Sequence, residues 1–411
     1  MTNPIVGLDI GTTKISVIIG EIDQNRSLKI VGVGTSPSDG LRKGVVINID
    51  KTVKSIQRAV EEAELMAGVD VESVYVGIAG DHIKSINSRG VIAVSRNDNE
   101  ITPQDVARVI EAARAVAIPL DREMLHVIPQ DFVVDDQAGI KDPVGMSGVR
   151  LEGDVHIVTG AITSVQNIYK SVEKAGLKVT DIVLEPLASA YAVLEDDERE
   201  LGCAVIDIGG GTTDLIVFIE DSVKHTASIG LGGRNVTNDL AIGIRTPLDR
   251  AEEIKRSHGT CVRSGLEGNV YIPVPGVGGR DQREVSRAVL ASIIEPRMRE
   301  IFTLALRELQ KNHYLDTLGA GIVLTGGCSL LHGVTELAEQ VFGMPVKLGV
   351  PKGFGGLVDT VASPIHATGV GLVLYGVMMG EQNKENATQV SKGFRLPDFW
   401  KHMLTWIKQY V

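Results

Sequence analysis

Asp207-Ile208-Gly209-Gly210-Gly211-Thr212-Thr213-Asp214 sets two carboxylates and two hydroxyls around three consecutive glycines. Glycine lets backbone approach a ligand closely, and successive turn N–H groups form a concave nest for an anion. Thr212 and Thr213 add hydroxyl donors. Asp207 and Asp214 repel phosphate, so they make sense beside it only with a divalent cation, Mg²⁺ with its waters, in between. The apolar runs on either side, Val205–Ile208 and Leu215–Ile219, make the whole phrase strand, tight turn, strand.

The phrase occurs twice. Asp9-Ile10-Gly11-Thr12-Thr13-Lys14 repeats it near the N-terminus, again between strand-like apolar runs. One copy reads equally well as a hairpin with a glycine turn. Two copies suggest a duplicated fold whose halves face each other across one nucleotide. A third glycine pair, Gly326-Gly327, follows the run Gly321–Thr325. It is either a plain strand–helix turn or bare backbone against which adenine and its ribose can lie. Glu185 stands where a strand meets a helix opened by Pro186. It is either a helix-start carboxylate favoured by the macrodipole or a group orienting water on a γ-phosphate.

The chain has 411 residues, 43% of them hydrophobic and 23% charged, with a net charge of −11. That describes a globular protein of two or more domains and argues against a nucleic-acid surface. Cys203, Cys261 and Cys328 have neither metal spacing nor a disulfide framework. Met1-Thr2-Asn3-Pro4 leads straight into a strand, so no secretory leader is expected, and the apolar stretch Gly369–Gly380 is too short to span a bilayer.

The elements that must position these loops alternate between strands and helices, giving a mixed α/β layer. Asp50 is expected to cap a helix ending near Gly68. Thr102-Pro103-Gln104-Asp105 starts another inside a small α/β insertion, where His126 and His156 read as structural histidines. The helical region Ser286–Lys311 is expected to restart at Pro296, and Ser363-Pro364 to cap an apolar helix Ile365–Met379.

The order Asp-Ile-Gly-Thr-Thr, Glu185-Pro186-Leu187-Ala188-Ser189-Ala190, Asp-Ile-Gly-Gly-Gly-Thr-Thr-Asp and Leu324-Thr325-Gly326-Gly327 resembles the ATPase superfamily of actin, sugar kinases and heat-shock chaperones. Within it the chain resembles the FtsA family of bacterial cell-division proteins along essentially its whole length. The likeness rests on Gly7–Lys14, His126–Gln130, Ile140–Arg150, Ala251–Gly259, Ile294–Arg297 and Gly321–Gly327.

The resemblance implies an actin-like duplicated fold of two lobes around a nucleotide cleft, with one outer subdomain replaced by an insertion. It implies core subdomains at 1–84 plus 163–197 and at 198–230 plus 319–380, an insertion at 85–162 and an outer subdomain at 231–318. By position, Gly11, Thr12, Thr13 and Lys14 form the first phosphate loop, and Gly209, Gly210, Gly211, Thr212 and Thr213 the second. Asp9 and Asp207 approach Mg²⁺ through water, Gly326 and Gly327 line the adenosine pocket, and Glu252 and Lys255 resemble ribose and base contacts. The cofactors implied are ATP and Mg²⁺, with at most slow hydrolysis.

The tail is the second informative stretch. Residues 381–396 are polar and read as a flexible linker. In 397–411, Phe399, Trp400, Met403, Leu404, Trp406, Ile407, Tyr410 and Val411 fill one helical arc of roughly 160°, while Lys401, His402, Thr405, Lys408 and Gln409 fill the other. Such a helix either docks on protein or lies in a membrane interface.

Three functions stay open at this level. One is an ATP-binding filament protein at the cytoplasmic face of the bacterial inner membrane, peripheral and at the division septum. It would receive the FtsZ C-terminal tail near Arg297, self-associate and recruit later divisome proteins. The others are a sugar-kinase-like phosphotransferase and an adaptor of the pilus-assembly type. No nucleic-acid partner is expected.

Overall fold

The computed structural model describes residues 4–94, 99–262 and 270–385, with side chains described through residue 380. Two sheets of the same design form its core. In the first, strands Ile5–Ile10, Lys14–Ile22 and Leu28–Pro37 run as an antiparallel meander. Ser73–Ile78 and then Lys178–Leu184 add in parallel on the other side of Ile5–Ile10, and Gly355–Gly356 closes the far edge. In the second sheet, Cys203–Ile208, Thr213–Ile219 and Ser222–Ile229 repeat the meander, with Gly321–Thr325 and Val346–Leu348 parallel beyond it.

The registers correspond as well. Asp9 pairs with Ser16 and Asp207 with Asp214, so the two glycine turns are equivalent points of a duplicated unit. Helices cover both faces of each sheet. The strands accordingly read as nearly continuous apolar runs, with Cys203–Ile208 buried throughout.

A four-stranded antiparallel sheet, in the order Lys84–Ala93, Arg150–Ala161, Arg122–Val134 and Gln137–Ile140, is inserted between the fourth and fifth strands of the first sheet. Helix Pro103–Arg114 covers it, and the two enclose their own core of Val106, Val109, Phe132, Leu151, Val155 and Ile157. The insertion leans on the outer strand of the second lobe through a polar seam. Ser85 Oγ donates to Thr226 O at 2.9 Å, Gln130 Nε2 to Val223 O at 2.5 Å, and Ser222 Oγ to Gln130 O at 2.7 Å. His156 bridges Asn87 and Thr226, and His126 Nε2 accepts from the Leu184 N–H at 3.0 Å. Both histidines act here as buried structural pins.

Several local expectations are corrected. Helix Ile49–Ala67 is capped by Asn48, whose side chain accepts from Lys51 N at 3.0 Å, and not by Asp50, which lies in its first turn. The helix does end at Gly68, whose φ of 71° suits glycine. Arg287–Lys311 is one helix with Pro296 inside it. Tertiary burial of Leu290, Ile294, Met298, Ile301 and Phe302 outweighs the hydrogen bond that proline removes. Pro364–His366 forms a short 3₁₀ turn, and the last helix is Ala367–Glu385, which runs into the stretch expected to be linker. Residues 386–396 and the amphipathic stretch 397–411 lie outside the described residues. Among the described residues no helix is long and apolar enough to cross a membrane.

Candidate nucleotide-binding site

The two glycine turns meet. A Cβ on Gly210 would lie 2.4 Å from Thr13 Oγ1, and one on Gly211 would lie 2.4 Å from Thr12 Oγ1. Only bare backbone allows the loops this approach. The second loop is braced from within, with Gly209 N donating to Thr212 O at 3.0 Å and Thr212 Oγ1 donating to Asp214 Oδ2 at 2.8 Å. The helix Gly233–Gly243 starts on it, through Gly233 N to Gly209 O at 2.9 Å and Arg234 N to Gly210 O at 2.8 Å.

Between the loops lies a cleft of about 690 Å³. Its lining brings together Asp9, Gly11, Thr12, Thr13 and Lys14 from the first lobe with Gly209, Gly210, Gly211, Thr212 and Asp207 from the second. Glu185, Glu252, Lys255, Gly326 and Gly327 also line it. Thr213 stands apart, because it is fully buried and its hydroxyl donates to Leu231 O at 2.9 Å. Arg297 is on the outer part of the second lobe, where Asp239 grips it at 2.6 and 3.2 Å and Glu300 pairs with it too.

Four carboxylates crowd the cleft floor. Burial, then the neighbouring Asp207, lifts Asp9 to about 6 against the pull of Lys14. Burial lifts Asp214 to about 7 against the pull of the Ser228 and Thr212 hydroxyls. Glu185 is pushed well above the usual carboxylate range by burial and by Asp9, Asp214 and Asp207. Asp207 is raised by burial, with Ser189, Thr368 and Lys14 opposing. One ammonium, Lys14, stands against them; burial lowers its pKa, and its Nζ donates to Ile365 O at 3.2 Å.

Four carboxylates against one ammonium leave this floor short of positive charge, and its all-oxygen donor set suits a hard cation. Among the described residues no three His, Cys, Asp or Glu side chains are arranged to cage an ion. The donors therefore fit a hydrated Mg²⁺ shared with phosphate, not an all-protein metal site.

Toward the outer end, Lys255 has no N–H to offer a ligand. Its three donors serve Gly233 O at 3.2 Å, Thr237 Oγ1 at 2.9 Å and Glu252 Oε2 at 2.7 Å. Lys255 and Glu252 both line the cleft, with Lys255 buried and the Glu252 side chain 43% exposed. Arg234, Thr237 and Thr368 also line the cleft and escape sequence reasoning, although Arg234 directly follows the pair Gly232-Gly233. Ser189, in the same motif as Glu185 and one turn after it, is fully buried behind that lining.

Two sheets of one topology, closed on a cleft between their equivalent glycine turns, define an actin-like ATPase fold. Solved structures with this fold include a PilM–PilN type IV pilus biogenesis complex, at a TM-score of 0.66 and 17% identity, covering 92% of this chain and 99% of that one. MreB5 of Spiroplasma citri bound to ADP gives 0.55 at 14%, covering 95% and 99%.

The chain belongs to the FtsA family of cell division proteins. It is 54% identical to the cell division protein FtsA of Pseudomonas aeruginosa over 374 residues, 91% of this chain and 89% of that protein. It is 40% identical to that of Escherichia coli, covering 98% and 97%. The family model for cell division protein FtsA matches residues 204–371, and that for the SHS2 domain inserted in FtsA matches 80–159.

Proposed function

We propose that the chain is an ATP-binding division protein that polymerises at the cytoplasmic face of the inner membrane, tethers FtsZ filaments at the septum and recruits later divisome proteins. The observation that carries the nucleotide part is the apposition of Gly210 and Gly211 with Thr13 and Thr12, which brings both glycine turns to the lining of one cleft. A likeness in fold to MreB5, solved with ADP and with AMPPNP, supports the ligand class.

In this reading the backbone of Gly11–Thr13 and Gly209–Thr212 holds the phosphates, and Lys14 neutralises one of them. Asp9 and Asp207 would hold a hydrated Mg²⁺, which when bound would supply the positive charge that the carboxylates and phosphates need. Gly326 and Gly327 leave room for adenosine. Glu252 meets the ribose, with Lys255 holding it in place. Glu185 orients water for a slow hydrolysis that resets the polymer. Outside the cleft, Arg297 lies near the surface that receives the FtsZ tail.

The membrane part rests on 397–411. A chain of net charge −11 is repelled as a whole by anionic lipid, so attachment must come from this segment, with Lys401 and Lys408 at the headgroups and Trp400 and Trp406 on the apolar arc. One such helix is a reversible anchor, and an array of them in a polymer holds through avidity. Trp406→Glu is expected to release the protein from liposomes in co-sedimentation while ATP still binds. A variant that pellets as wild type contradicts the anchor.

A further inference from the structure

Asp207 is not held by the loop it introduces. Ser189 Oγ donates to its Oδ2 at 2.6 Å, Thr368 Oγ1 reaches the same oxygen at 3.3 Å, and the two hydroxyls are 3.0 Å apart. All three residues are buried, Ser189 completely. They come from distant parts of the chain. Ser189 sits on helix Glu185–Val193, one turn past Glu185; Asp207 is in strand Cys203–Ile208; and Thr368 is in the first turn of helix Ala367–Glu385. The other oxygen, Oδ1, lies against Gly326, where a Cβ would approach to 2.2 Å. The carboxylate is left one orientation. Asp9, at the matching point of the first sheet, has no such hydroxyl pair among the described residues.

The segment carrying Thr368 also grips the other loops. The Pro364 carbonyl accepts from Gly326 N at 3.2 Å, and the Ile365 carbonyl accepts from Lys14 Nζ at 3.2 Å. Residues 364–368 thus fix the first phosphate loop, the second-lobe carboxylate and the third glycine turn relative to one another.

We propose that Ser189 and Thr368 are positioning residues for the metal-bound form of the nucleotide. They hold Asp207 in the orientation that a hydrated Mg²⁺ requires, and they tie that orientation to Lys14 and Gly326 through residues 364–368. The inference rests on the reading of the cleft as a Mg²⁺–ATP site. Hydroxyls donating to a carboxylate make charge-assisted bonds, and losing such outer partners typically lowers metal affinity by about 10- to 100-fold.

The test measures binding of a fluorescent ATP analogue to the full chain in Mg²⁺ and in EDTA, so that the metal-dependent gain in affinity is read without turnover. Ser189→Ala and Thr368→Val each remove one hydroxyl at little change in shape, and Thr368→Ser keeps it. In wild type, Mg²⁺ should tighten binding. In Ser189→Ala and in Thr368→Val that gain should shrink by about 10-fold or more while affinity in EDTA holds, and Thr368→Ser should retain the gain. Equal weakening in both conditions would show a structural role only and overturn the proposal, as would unchanged binding in both variants. A wild type that binds equally with and without Mg²⁺ would instead remove the Mg²⁺–ATP reading itself, and this inference with it.

Discussion

Burial, and then the neighbouring Asp9, Asp214 and Asp207, push the Glu185 carboxyl well above the ordinary carboxylate range, and a cation bound among these groups would draw it back down. Glu185→Gln keeps the shape and the neutral form. It should leave ATP affinity within about twofold and slow single-turnover hydrolysis by about 10²-fold; equal turnover would return Glu185 to a helix-start carboxylate.

Asp214 makes a complementary prediction about stability. In the folded protein its pKa is about 7, against 3.8 for an ordinary aspartate. A raised carboxyl pKa contributes stability that is fully present below about 4 and lost as pH rises through about 7. Without nucleotide or metal, Asp214→Asn should therefore match wild type in acid and gain on it by a few kcal/mol between pH 4 and 8, since a tenfold change in proton affinity is worth about 1.4 kcal/mol. Urea unfolding in EDTA across that range reads the difference, and a gap that does not vary with pH would contradict the assignment.

At the scale of elements, the glycine turns are legible because nothing else explains two copies of strand, Asp-Ile-Gly and Thr-Thr. The paired sheets follow from them. The inserted sheet is only half legible. Arg122–Val134 carries Pro129 within a strand, and its continuity depends on partners on both sides that local pattern does not show. Pro296 misleads for the same reason, since burial of the surrounding helix face decides its fate. Lys255 reads as a ligand group because sequence cannot show that its three donors are already satisfied.

Arg297 likewise reads as a free charge in the sequence, whereas Asp239 and Glu300 engage it. Its part in FtsZ recognition would thus be to order helices Gly233–Gly243 and Arg287–Lys311 as well as to offer charge. Arg297→Glu sets three acidic groups together. It should weaken binding of an FtsZ tail peptide by calorimetry and also lower the melting temperature. A lowered melting temperature with unchanged tail affinity would separate this residue from the docking surface.

Across the whole molecule, the helix Ala367–Glu385 links the parts. Its glycines admit close packing, with Gly371 over the Ala188 carbonyl and Gly369 over Ile18, so it touches both the first sheet and the helix that carries Glu185 and Ser189. Its N-terminal turn and the residues just before it reach Lys14, Asp207 and Gly326. In the proposed reading the nucleotide site lies at the N-terminal end of this helix, and its C-terminal end precedes in sequence the residues proposed as the membrane anchor. The inserted sheet is pinned to strand Ser222–Ile229 of the second lobe.

All of this depends on one nucleotide held between two loops. The most direct measurement is calorimetric titration of Mg²⁺–ATP into the full chain and into Gly210→Asp, with circular dichroism to show that both are folded. The account predicts one site per wild-type chain and none in the variant, because the new carboxylate and its Cβ occupy the gap that Gly210 leaves beside Thr13. A folded Gly210→Asp protein that binds ATP with undiminished affinity would contradict it.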